Sequence, residues 1–153
     1  MADPRLLIVD DEERFLTTTK ALLQKRGIVT FTSTNGTKAM EILERESIDV
    51  VILDVKMPGL DGVEVLRVIK KRHPLVEVIM LTGHASAESA VGGLNLGAFD
   101  YLMKPCDIQT LIDKINGAYA KKETALENLR KTKIDKIISH PLEVFDKDRS
   151  DNP

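Results

Sequence analysis

The stretch VVILDVKMPGLDG, Val50 to Gly62, decides the fold. Its first four residues are apolar without alternation, which reads as a strand buried on both faces. The run stops on a carboxylate, Asp54, and a turn follows around Met57-Pro58-Gly59. Ending a core strand on an acid costs stability, because a charge loses its water there. The residue therefore asks for a functional reason.

Working outward, short apolar runs alternate with segments of helical period. RLLIV (Arg5–Val9), IVTFT (Ile28–Thr32), VEVIML (Val76–Leu81) and DYLM (Asp100–Met103) read as further strands. Glu12 to Arg26 reads as an amphipathic helix with Phe15, Thr19, Leu22 and Leu23 on one face and Gly27 as its stop. A second helix, Thr37 to Glu46, follows an Asn35-Gly36 turn. A third, Asp61 to Arg72, buries Val65, Leu66 and Ile69 and ends at His73-Pro74. Ser86 to Leu96 is a helix loosened by Gly92-Gly93 and stopped by Gly97. Asp107 caps a last helix from about Ile108.

Five successive strand–helix units predict an α/β fold, a doubly wound parallel sheet with helices on both faces. Five units cannot close an eight-unit barrel. The 153 residues suit one domain with an appendage. The division expected is a domain over 1–120 and a charged extension over 121–153, helical at first and polar at its end.

Composition narrows the function. A net charge of −2 argues against a protein that coats nucleic acid, so no direct nucleic-acid partner is expected. The single cysteine, Cys106, cannot form an internal disulfide and fits a reducing compartment. The N-terminus lacks the basic and long apolar regions of a signal peptide, and no run reaches the ~18 residues of a membrane span. The expectation is a cytoplasmic protein without a membrane partner.

Ligands of open α/β sheets bind outside the carboxyl ends of the strands. There the sequence places Asp10-Asp11, Asp54, Thr82 and Lys104-Pro105. Parallel neighbours lie ~4.8 Å apart, so these groups face one crevice. Clustered carboxylates repel, and a hard divalent cation such as Mg²⁺ relieves the repulsion. One carboxylate can then serve as a nucleophile. Lys104 and Thr82 suit charge developing on a phosphoryl group. Singly, each has a structural explanation: Asp10-Asp11 as a helix cap, Asp54 as an Asx-turn, Thr82-Gly83 as loop polarity, Lys104 as a solvated lysine. Together at one sheet edge they mark a site.

The motifs IVDDE (Ile8–Glu12), LDVKMPGLDG (Leu53–Gly62), LTGHAS (Leu81–Ser86) and GAFDYLMKP (Gly97–Pro105) resemble the receiver domains of bacterial two-component response regulators. The likeness is greatest to receivers attached to transcription activators and covers roughly residues 4 to 120. It implies a flavodoxin-like strand order, 2-1-3-4-5. It also implies that Asp54 accepts a phosphoryl group from a histidine kinase or phosphotransfer protein. Asp11, Asp54 and the backbone carbonyl of Lys56 would ligate Mg²⁺, with Asp10 holding a coordinated water. Lys104 would pair with the phosphoryl group, Thr82 would hydrogen-bond it, and Tyr101 would turn inward as the aromatic switch. Lys104-Pro105 would be a cis peptide. Such a chain is not an enzyme in the usual sense, since it catalyses only its own phosphorylation and dephosphorylation. Cys106 stands where many relatives have Phe, and His84 and Lys56 fill variable positions beside the phosphoryl site. His84 has no second ligand suitably spaced and reads as a loop residue.

Other readings stay open. One is a Mg²⁺-dependent phosphatase or phosphotransferase with an Asp nucleophile, although Asp54-Val55-Lys56 carries no second acid. Another is a flavin or nucleotide binder, although DDEERF is acidic where a phosphate loop would sit. The chain could also be the receiver fragment of a larger transcription regulator. The segment AKKETALENLRKTKIDKII continues in strong helix formers, so the last helix is expected to project and support a homodimer. A fold-back or a disordered end is the other reading.

Overall fold

The computed structural model describes residues 3–57, 60–83 and 92–139, with the side chains of 56, 57, 60 and 139 excepted. In chain order the elements are β1 (Arg5–Val9), α1 (Glu13–Gln24), β2 (Val29–Ser33), α2 (Gly36–Arg45), β3 (Val50–Leu53), β4 (Lys56–Met57), β5 (Leu60–Asp61), α3 (Gly62–Arg72), β6 (Glu77–Thr82), β7 (Asp100–Met103) and α4 (Ile108–Ser139). Five strands form one sheet in the order β2-β1-β3-β6-β7, all parallel. Counting only these strands, that is the expected 2-1-3-4-5.

The period of two along each strand sorts the core into two layers. Leu7, Val9, Val51, Leu53, Val78 and Met80 point to the face covered by α2 and α3, where Ala39, Leu43, Val65, Leu66 and Ile69 meet them. Leu6, Ile8, Val50, Ile52, Ile79 and Leu81 point to the other face, against Leu16 and Leu23 of α1 and Leu111, Ile112, Ile115 and Ala118 of α4. Each of the buried Val, Leu, Ile and Met side chains contributes about 1.5–3 kcal/mol relative to exposure.

Local chemistry sets the element ends. Asn35 is a helix cap rather than part of a turn: its Oδ1 accepts from Lys38 N at 2.8 Å. Asp61 caps α3 through Val63 N at 3.0 Å, and Asp107 caps α4 through Thr110 N at 3.3 Å. Gly27 has φ +82°, the left-handed conformation that follows α1. On α1 the expected face is corrected: Leu22 is 41% exposed, and Leu16, Thr19 and Leu23 are the buried residues. The expected turn after Asp54 contains a short antiparallel pair, β4 with β5. Pro58 and Gly59 lie outside the described residues. Of the expected helix Ser86–Leu96, residues 92–95 are helical and 86–91 lie outside them too.

The chain divides into two compact units, Met1–Lys122 and Glu123–Pro153. In the first, charges gather at the amino ends of two central strands. Asp49, just before β3, pairs with Lys122 at 2.5 Å and accepts from Arg5 N at 2.8 Å. Glu77, the first residue of β6, lies between Lys70 at 3.5 Å and Lys121 at 3.4 Å. In the second unit the chain is helical to Ser139, with Leu129, Ile134, Ile137 and Ile138 exposed. The polar end after it lies outside the described residues.

Candidate phosphoryl and metal site

The site is made by backbone pairing that continues one residue beyond the strands. Asp10 N donates to Ser33 O at 3.0 Å, and Asp54 N donates to Val9 O at 2.9 Å. Lys104 N donates to Thr82 O at 2.9 Å. The ladders thus hold the two acids and the lysine in fixed positions just past β1, β3 and β7. Gly62 closes the loop beneath Asp54. Its N–H donates to Val55 O at 2.8 Å, and a Cβ there would collide with Asp54 O and stand 2.7 Å from Val55 Cα and O.

Asp10 and Asp54 are nearly enclosed, at 1% and 5% exposure, and Thr82 is fully buried. Asp11 is exposed. One carboxylate oxygen from each of Asp10, Asp11 and Asp54 lies within 4.8 Å of the others. Three hard oxygen donors so placed fit a small divalent cation.

Lys104 sits beside the acids. Its Nζ donates to Asp10 Oδ2 at 2.6 Å and Glu12 Oε1 at 3.2 Å, and lies 4.0 Å from Asp54 Oδ2. The Phe15 ring centroid is 4.4 Å from the same nitrogen. Burial opposes the ammonium's charge, but the hydrogen bond and charge of Asp10, then Glu12 and Asp54, outweigh burial and hold its pKa above the usual value. Burial pushes the Asp10 carboxyl up; hydrogen bonds from Lys104 and the Glu12 amide oppose this without cancelling it. A site that raises a carboxyl this way gains from any cation that joins it.

Tyr101 enters from β7, opposite Met80 of β6. It packs on the layer formed with α2 and α3. Its hydroxyl is buried and has no hydrogen-bond partner among the described residues. Burial, followed by the negative charge of Asp54, raises its pKa. The Lys104-Pro105 peptide is cis. Beside it, burial and then Asp107 raise the Cys106 thiol's pKa, which disfavours the reactive thiolate.

The structure therefore brings Asp10, Asp11, Asp54 and Lys104 into one cluster and ties Thr82 to it through the backbone of Lys104. Lys56 lies in β4, in register with Asp61. His84 lies outside the described residues. Sequence reasoning missed Glu12 and Phe15, both of which reach Lys104.

Comparison with known proteins gives the family and the fold. Residues 6–116 match the family described as response regulator receiver domain. The chain is 37% identical to the DNA-binding transcriptional regulator NtrC of Escherichia coli (strain K12) over 111 residues, which is 72% of this chain and 24% of that one. A CheY-like receiver domain protein from Methanospirillum hungatei JF-1 superposes with a TM-score of 0.77 at 33% identity, covering 81% of this chain and 99% of that one. The beryllofluoride-activated NtrC4 receiver domain dimer gives a TM-score of 0.73 at 33% identity, covering 77% and 98%. The chain spans about a quarter of the length of the curated relatives it matches.

Proposed function

The chain belongs to the response regulator receiver domain family, and from that premise we propose that Asp54 is its phosphoacceptor. The observation that carries this reading is the Asp54 carboxylate, 5% exposed, with the Lys104 ammonium 4.0 Å away and oxygens of Asp10 and Asp11 within 4.8 Å. A carboxylate oxygen of Asp54 attacks phosphorus. The donor's phosphorus–nitrogen bond breaks, and its electron pair returns to the imidazole of a phosphohistidine. Lys104 then meets the new negative charge, and the Thr82 hydroxyl donates to a phosphoryl oxygen.

The acid cluster supports Mg²⁺ as the resident ion, held by Asp11, Asp54 and the Lys56 carbonyl, with Asp10 acting through water. When bound, Mg²⁺ neutralises the acids and the arriving phosphoryl oxygens. The switch is local: once Thr82 is drawn toward the phosphoryl group, Tyr101 packs behind it and the surface around β7 changes.

A histidine kinase or phosphotransfer protein is the donor expected for this family. Residues 1–120 are the phosphoacceptor unit in this reading, and 121–153 an extension. The dimer named for the NtrC4 receiver and the exposed apolar residues past Glu123 support a homodimer. DNA binding is named for the E. coli relative, a much longer chain, and is not assigned to this unit. No helix of the described residues is long and apolar enough to cross a membrane.

The test is labelling with acetyl phosphate and Mg²⁺. One acid-stable, base-labile acyl phosphate per chain is expected, and Asp54→Ala should abolish it. Labelling that survives the substitution would remove the assignment. Catalytic turnover of a phosphate ester, in place of stoichiometric labelling, would favour the phosphatase reading.

A further inference from the structure

We propose that Glu12 is a positioning residue for Lys104, a displaceable second anchor that competes with the phosphoryl group for the lysine's ammonium. The proposal rests on Asp54 being the phosphoacceptor and adds what restrains the lysine before the phosphoryl group arrives.

Glu12 occupies the N-cap position of α1, yet its side chain makes no capping hydrogen bond. Its carboxylate instead accepts from Lys104 Nζ at 3.2 Å, across 92 positions of sequence. Its backbone N–H donates to Asp10 Oδ1 at 3.0 Å, and Asp10 Oδ2 takes the same lysine at 2.6 Å. One residue thus holds both partners of the Lys104–Asp10 pair. The Phe15 ring, three positions along, supplies a further contact for the ammonium at 4.4 Å.

The two carboxylate anchors differ in strength. The Asp10 contact is short, and its side chain is 2% exposed. The Glu12 contact is longer, and its side chain is 63% exposed. An ammonium has three donors and no more. Two are engaged, and Asp54 at 4.0 Å is beyond hydrogen-bond reach. The third N–H is not held by either acid, but to bring it to a phosphoryl oxygen on Asp54 the ammonium must shift across that 4.0 Å gap, which stretches both contacts, and the exposed, longer one yields first. Glu12 also places a negative charge on the approach of an anionic donor. Both effects act in one direction: Glu12 slows phosphorylation.

The test compares the full-length protein with Glu12→Gln, an exposed and isosteric change, by two readouts. The first is the rate of Asp54 phosphorylation by acetyl phosphate at saturating Mg²⁺. The variant should react about two- to fivefold faster, the factor that a partly exposed ion pair is worth, and the gap should narrow as salt rises. The second is the NMR signal of the Lys104 ammonium in protein labelled at lysine. It should differ between wild type and variant in the resting state and converge once beryllofluoride is bound, because the lysine has then left the side chain at position 12 in both. A difference that persists unchanged in both states would show a structural role and overturn the proposal. An equal or slower rate in the variant would overturn it as well. A wild type that takes no phosphoryl group on Asp54 would overturn the acceptor assignment and the competition together. A phosphorylated wild type with an indistinguishable variant would overturn the competition alone.

Discussion

The backbone N–H of Lys104 donates to the backbone carbonyl of Thr82 at 2.9 Å. The two residues proposed to contact a phosphoryl group are thus joined through their main chains, while their side chains remain able to act separately. A shift of either backbone here must stretch that bond or carry the other with it.

Thr82→Ala should accept phosphate on Asp54 yet lose the conformational response. In the proposed switch the hydroxyl's bond to the phosphoryl group is the contact that draws Thr82 from its resting position, and a ligand without differential contact shifts no population. NMR shifts of Asp100–Met103 with and without beryllofluoride are the measurement. A response of full size in the variant would refute the coupling.

Mg²⁺ should raise the melting temperature of the wild-type protein, and a chelator should reverse the rise. In the proposed site the ion would bind the folded acid cluster and have no comparable site in the unfolded chain. In Asp11→Ala the rise should require at least tenfold more Mg²⁺, on the order of the loss of a direct ligand. Identical Mg²⁺ dependence in the two proteins would remove Asp11 from the ligand set.

Asp100 gives a pH dependence with a definite sign. Burial alone would raise its pKa, but the hydrogen bond from Lys114 at 2.6 Å, the Tyr101 amide and the charge of Lys114 together lower it below 3.8. The folded state therefore binds fewer protons than the unfolded chain as pH drops below that value. The contribution is fully present above pH 3.8 and is lost as pH falls through the lower, folded value. Urea midpoints between about pH 2 and 5 should fall more steeply for wild type than for Asp100→Asn. Parallel acid limbs would count against the pair.

The exposed Leu129 and Ile137 lie eight residues apart in sequence on one helix, close enough in angle to serve one seam. Leu129→Asp with Ile137→Asp should convert a dimer to a monomer in light scattering while leaving Asp54 labelling intact. A monomeric wild type, with and without beryllofluoride, would dismiss the extension as a dimer element.

Much of this was legible because the fold and the site share one signal. Val50–Leu53 needs two covered faces, and that need places Asp54 at a strand end. The same logic puts Asp10 and Thr82 at strand ends. The reading failed where two helical phases fitted equally: with apolar residues at 15, 16, 22 and 23, α1 offers two overlapping stripes. The sheet selects Leu16, Thr19 and Leu23 and leaves Leu22 out. Asn35 looked like a turn residue because Asn-Gly serves turns and caps alike. Glu12 was invisible for another reason. An exposed glutamate after two aspartates has no pattern of its own, and its partner Lys104 arrives from the far edge of the sheet.

The ion pairs at the amino ends of β3 and β6 bear on where the molecule can be cut. Asp49 is a half-buried carboxylate and Glu77 a buried one, and the ammonium groups beside them include those of Lys122 and Lys121. A chain stopped at Ala120 would keep every apolar residue of the core and still strip the Asp49 side chain of its cation. Leaving a half-buried carboxylate without its cation costs about 1–3 kcal/mol, a noticeable share of a small domain's stability. The smallest piece that folds soundly therefore ends two lysines later than the hydrophobic pattern alone would advise.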